Sequence, residues 1–137
     1  VTARPSSSKR FPFKRGDVYL IRFSLPDQPD KAIEKFAINL QEGAIVNRAP
    51  AFVCVLITTL KSPTPTRLYP TDVLLTPQES QTDYGAKVIC NQIHTVHKSR
   101  ILAHKYTLSA ETMHKIDGRL LMGIGLVEWE EIVRSRS

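Results

Sequence analysis

Cysteine is scarce in this chain, which has Cys54 and Cys90 and no others. Each sits inside an apolar run without a second ligand at the C-x-x-C spacing of structural zinc. That pattern argues against a zinc site and for small buried hydrophobes in a reducing compartment, with a disulfide between neighbouring strands left open. Long apolar runs are missing too. None approaches the roughly 20 residues that a membrane-spanning helix needs, and the first residues lack the apolar stretch of a secretory signal, so the expectation is a cytoplasmic protein with no membrane partner. Acidic residues are in deficit, 13 against 19 Lys and Arg, which leaves a formal net charge of +6. Such a surface attracts polyanions or an acidic protein. Part of the surplus lies in the terminal segments, at Arg4, Lys9, Arg10, Lys14 and Arg15 before the first strand and at Arg134 and Arg136 after the last apolar residues, where solvation explains it equally well. At 137 residues and 42% hydrophobic, the chain has the length for one domain with a real core.

Residues 1–13, with three consecutive serines and no apolar period, read as a flexible basic extension. The single domain then runs over 14–132 and a basic tail over 133–137. From Gly16 to Phe23 the chain is rich in apolar and aromatic residues and reads as a strand that Pro26 and Pro29 end. A long polar loop follows, then a short strand over 37–40 and a turn at Glu42-Gly43. The unbroken apolar run 51–57 is the clearest strand. Ser62-Pro63-Thr64-Pro65-Thr66 cannot hold regular structure. Further strands are expected over 72–75, over 87–90 after a turn at Tyr84-Gly85, and over 105–108. Ser109 then caps a helix whose Met113, Ile116, Leu120, Leu121 and Ile124 recur at spacings of three and four. Leu126-Val127 with Trp129 and Ile132 reads as a closing strand or short helix. The sum is five or six mostly antiparallel strands with one firm helix, an α+β, mainly β architecture.

Polar groups gather where apolar strands begin or end: Lys14-Arg15-Gly16-Asp17, Thr58-Thr59, and Asn91-Gln92-Ile93-His94-Thr95-Val96-His97. The expectation is one shared polar site. His94 and His97 have no carboxylate or thiolate at a ligand spacing, so no metal and no cofactor are expected. Cys54 is a poor nucleophile, because its apolar surroundings keep the thiol protonated.

Four blocks, in order, carry a resemblance. They are Lys14-Arg15-Gly16-Asp17-Val18-Tyr19, the run ending Ile57-Thr58-Thr59, the segment from Gln92 to Arg100, and Leu108-Ser109-x-x-Thr112-Met113-x-x-Ile116-Asp117. Over about residues 14–126 the chain resembles the MazF/PemK (Kid) family of toxins. The resemblance implies an SH3-like small antiparallel barrel with a C-terminal helix, a CcdB/MazF-like fold. It also implies a homodimer, an acidic antitoxin as partner, and sequence-selective, metal-independent cleavage of single-stranded RNA, in which the 2′-hydroxyl attacks the adjacent phosphate. That chemistry asks for a base, an acid and donors to the phosphorane.

Carried over residue by residue, the resemblance makes Lys35, Thr58 and His94 the catalytic candidates. Arg15, Thr59, Asn91, Gln92, Thr95 and Arg100 are the RNA-binding ones. The chain departs from the pattern at three of these positions. Lys35-Phe36 stands where the family has Arg-Pro, and a lysine cannot make the planar bidentate contact of a guanidinium. Asn91 replaces an acid and cannot exchange a proton. His94 replaces an arginine, and its ordinary pKa near 6.5 suits it to take over as base or acid. A diverged RNA- or antitoxin-binding module without nuclease activity is the alternative that these departures imply.

Overall fold

The computed structural model describes residues 12–64 and 67–127. Of the expected extension over 1–13, residues 1–11 lie outside the described residues, as do the basic tail, Trp129 and Ile132, while Phe13 is buried. In chain order the elements are β1 (Asp17–Leu25), β2 (Gln28–Asn39), α1 (Gly43–Val46), β3 (Ala51–Thr59), β4 (Asp72–Leu75), α2 (Pro77–Ser80), β5 (Ala86–His97), β6 (Ile101–Thr107) and α3 (Ala110–Gly123). The strands form one six-stranded antiparallel sheet in the order β4-β5-β3-β2-β1-β6. The fold is mainly β with a C-terminal helix, as expected from sequence. Among the described residues no helix is long and apolar enough to cross a membrane.

Two compact units share the chain. The first joins the chain up to Val55 with His94–Thr107, and the second joins Leu56–Ile93 with the chain from Leu108 onward. In the first unit β1 and β2 make a hairpin, with Val18 opposite Ile38 and Ile21 opposite Lys35. Residues that read as a polar loop are therefore the outer half of a strand. Its side chains from Gln28 to Glu34 are all exposed, so no apolar alternation betrays it. Pro29 is tolerated because the pairing jumps from Leu25–Gln28 to Ser24–Ala32, which puts the proline in a bulge where no ladder donor is needed. Phe13, Tyr19 and Phe52 form an aromatic cluster with centroids 5.0 to 5.9 Å apart. Val18, Ile21, Ile38 and Val55 fill the rest of this core.

A polar knot closes the first unit at the start of β1. Gly16 takes φ +98°, a conformation that side chains disfavour, and turns the chain so that Asp17 points inward. Asp17 is 3% exposed. Its Oδ2 accepts from the Lys14 N–H at 2.8 Å and the Tyr19 hydroxyl at 3.1 Å. Its Oδ1 accepts from the Thr107 hydroxyl at 2.6 Å and lies 3.4 Å from His104 Nε2. Lys98, in a single 3₁₀ turn after β5, lies over the Phe13 ring and donates to the carbonyls of Val46 and Asn47 at the end of α1.

In the second unit β4 pairs with β5, Asp72 opposite Ile89 and Leu75 opposite Ala86. The short helix α2 was not expected from sequence, yet its signal is present. Thr76-Pro77-Gln78-Glu79 is a capping box with proline in the first turn, and both reciprocal bonds form. Ser109 caps α3 through the Thr112 N–H at 3.1 Å, and Thr112, Met113, Ile116 and Leu120 make its buried face. Thr112 donates its hydroxyl to Glu79, fastening α3 to α2. The helix stops in a Schellman motif, Leu126 N–H to Leu121 O at 2.8 Å and Gly125 N–H to Met122 O at 3.0 Å, with Gly125 at φ +82°.

Cys54 and Cys90 are free and buried, one in each unit. Burial pushes each thiol up to about 12. The thiolate is the reactive form, so native protein at neutral pH is expected to resist a disulfide reagent over minutes. Denatured protein should release two equivalents at once. Rapid labelling of the native chain would show that one strand opens readily.

Candidate functional site

The apolar run of β3 ends in half-buried Thr58 and exposed Thr59, and the Leu60 N–H is then held by the Gly85 carbonyl at 3.0 Å. Both threonines line a cleft of about 340 Å³, together with Lys61, Ser62, Arg67 and Lys87. Hydroxyls among ammonium and guanidinium groups make a surface that donates hydrogen bonds and carries positive charge, which suits a phosphate. Lys87 is anchored by donating to the Arg67 carbonyl at 3.0 Å and sits 3.9 Å from Asp72 Oδ2.

Lys87 also borders a second cleft of about 310 Å³, lined by Asn91, Gln92, Tyr69, Asp72 and Ile89. The amides face outward because β5, after its buried Cys90, exposes Asn91, Gln92 and Ile93 in succession. Both clefts belong to the second unit. Sequence reasoning reached Thr58, Thr59, Asn91 and Gln92, and missed Lys61, Arg67, Lys87, Tyr69 and Asp72. The only available hint was basic residues flanking a Ser/Thr/Pro loop.

The remaining candidates lie in the first unit. Thr95 and Arg100 share a shallow cleft of about 180 Å³ with Arg22, Ser24 and His97. The His97 ring caps the 3₁₀ turn, its Nδ1 accepting from the Ser99 N–H at 3.1 Å, which gives it a local structural task. Arg15 donates from Nε to the Leu40 carbonyl at 2.9 Å, a contact that fixes the approach to β1. Lys35 is half-buried on β2 opposite Ile21. His94 stands edge-on to Phe23 with centroids 5.0 Å apart, and its buried Nε2 has no hydrogen-bond partner among the described residues. Desolvation lowers its pKa below the ordinary histidine value of 6.5, so the ring is neutral at pH 7 and can accept a proton. Among the described residues, no three His, Cys, Asp or Glu side chains group as a metal set.

The fold has close counterparts among solved structures. A mycobacterial endoribonuclease in complex with its cognate antitoxin matches with TM-score 0.67 at 23% identity, over 84% of this chain and 97% of that one. A MazE–MazF complex from Deinococcus radiodurans matches with TM-score 0.67 at 15% identity, over 85% and 99%. The Mycobacterium tuberculosis toxin MazF-mt6 matches with TM-score 0.60 at 16% identity, over 80% and 98%. No curated protein sequence matches the chain. The sequence profile of the PemK-like, MazF-like toxins matches residues 14–122, most of the chain. The chain belongs to the PemK-like, MazF-like toxin family of type II toxin–antitoxin systems.

Proposed function

We propose that this protein is the toxin of such a pair and acts as a metal-independent endoribonuclease on single-stranded RNA. The observation that carries this reading is the family match over 14–122. The cleft of Thr58, Thr59, Lys61, Arg67 and Lys87 supports it by offering donors to a phosphate. Asn91, Gln92, Thr95, Arg15 and Arg100 take the RNA-binding roles that the resemblance gives them. His94 takes the role of base, since an Nε2 with no partner among the described residues and a lowered pKa suit proton acceptance. Lys35 supplies positive charge where the family has arginine. A homodimer and an acidic antitoxin complete the proposal, and the net charge of +6 favours the latter.

The test is incubation with a long unstructured RNA in EDTA, with mapping of the new 5′ ends and a search for 2′,3′-cyclic phosphate. Discrete cuts are expected. Thr58→Ala is expected to slow them by about 10²-fold, the usual effect of removing one transition-state donor. Lys61→Ala should lower the slope of log affinity against log salt by about 0.7, the loss of one phosphate contact on a single strand.

Lys35 and Asn91, each lacking the chemistry of the residue it replaces, favour a second reading as an RNA- or antitoxin-binding module. Binding without any cleavage across several RNAs would establish that reading and end the first.

A further inference from the structure

The geometry points to the cleft of Tyr69, Asp72, Lys87, Ile89, Asn91 and Gln92 as a pocket for one unstacked guanine of the RNA, with Asp72 as the specificity-determining residue. The inference deepens the reading of the chain as an RNA-cleaving protein and rests on it for the class of ligand. At about 310 Å³ the cleft lies at the small end of the range for ligand sites.

Asp72 carries the argument. Its side chain is 2% exposed, and among the described residues one of its two oxygens is used. Oδ2 accepts from the Tyr69 N–H at 2.9 Å and pairs with Lys87 at 3.9 Å. Oδ1 is buried with no partner among the described residues. A role in closing the turn before β4 accounts for Oδ2 and leaves Oδ1 unexplained. A carboxylate oxygen withdrawn from water without a donor is costly; of the two clefts that Asp72 lines, the one shared with Lys87, Asn91 and Gln92 is where a ligand of the proposed class can bring that donor.

The other walls narrow the choice of ligand. Tyr69 is 53% exposed and offers an aromatic face for stacking, which single-stranded RNA recognition uses widely. Ile89 adds apolar surface. Asn91, Gln92 and Lys87 supply N–H donors. Guanine presents N1–H and the N2 amino group side by side, both able to donate to a carboxylate, and O6 to accept from the amides or the ammonium. Uracil places carbonyl oxygens on both sides of its N3–H, where a carboxylate repels them. Adenine and cytosine each set an acceptor nitrogen beside the amino group, so each offers the carboxylate a poorer edge than guanine does.

The test uses the full chain in EDTA and fluorescence anisotropy with the pentanucleotides UUXUU, where X is G, A, C, U or inosine and every sugar carries 2′-fluoro in place of the hydroxyl to block cleavage. The expected result is binding of the G pentamer roughly tenfold or more tighter than the A, C and U pentamers, with inosine intermediate because it lacks the N2 amino group. Asp72→Asn keeps an acceptor for Tyr69 and puts a donor in place of Oδ1, so its loss should fall on the G pentamer. Tyr69→Leu should weaken all five pentamers alike. Equal affinity of wild type for all five, or an equal loss across all five with Asp72→Asn, overturns the inference. The wild-type panel decides even where a variant fails to fold. Discrete cleavage without a preference for G sinks the pocket and spares the nuclease. G-selective binding with no cleavage of any RNA does the reverse.

Discussion

Replacing His94 by alanine is expected to slow RNA cleavage by about 10² to 10⁴-fold, the usual contribution of a positioned general base, while RNA affinity changes little. The expectation follows from three properties of one ring. Nε2 has no hydrogen-bond partner among the described residues, so no local bond has to break before it takes a proton. The edge-on contact with Phe23 holds the ring in one orientation. Burial lowers its pKa, because the charged form loses hydration without gaining a counter-charge. The sign of the pH dependence follows. A base acts in its neutral form, so the rate of wild type should rise with pH along a limb that lies below that of an ordinary histidine. Phe23→Ala, which opens the ring to water, should move that limb toward higher pH. A His94→Ala enzyme within threefold of wild type would leave the base unassigned and return attention to Lys35.

The strand end that carries Thr58 and Thr59 was legible in the sequence, for a physical reason. Thr58 and Thr59 end a run too apolar to be anything but a strand, and hydroxyls that interrupt such a run sit at its mouth. Ser109 and the Met113, Ile116, Leu120 spacing fixed α3, because cap and buried face are both local. The outer half of β2 was hidden because its seven residues from Gln28 to Glu34 are all exposed and owe their extended form to pairing with β1. The capping box of α2 was in plain view but short, and α2 has only four residues. Asp72 shows where local reading fails. Its neighbours Val73, Leu74 and Leu75 announce a strand, but the setting of its carboxylate combines a local bond from Tyr69 with Lys87 and Ile89, which only the pairing of β4 with β5 brings beside it.

Asp17→Ala is expected to destabilise the fold by roughly 3 kcal/mol or more, lowering the thermal midpoint by about 10 °C. The carboxylate is buried and accepts from the backbone of Lys14 and the hydroxyls of Tyr19 and Thr107. It thereby joins the turn before β1, the aromatic cluster and the end of β6, pairing Asp17 with Thr107 in the register. Alanine removes every one of these bonds and leaves a gap that water reaches poorly. Asparagine keeps the shape and one carbonyl acceptor, so its cost should fall between wild type and alanine. Tyr19 offers an independent readout. Burial first, then the charge and hydrogen bond of Asp17, raise its pKa far above the usual phenol range. With the folded pKa raised, stability from this group is complete below the unfolded value near 10 and declines as pH rises beyond it. Wild type should therefore lose stability steeply above pH 10, and Tyr19→Phe should flatten that limb. Urea denaturation at pH 7 and pH 10.5 measures both effects, and an Asp17→Ala midpoint equal to wild type would show that the knot closes the first unit without stabilising it.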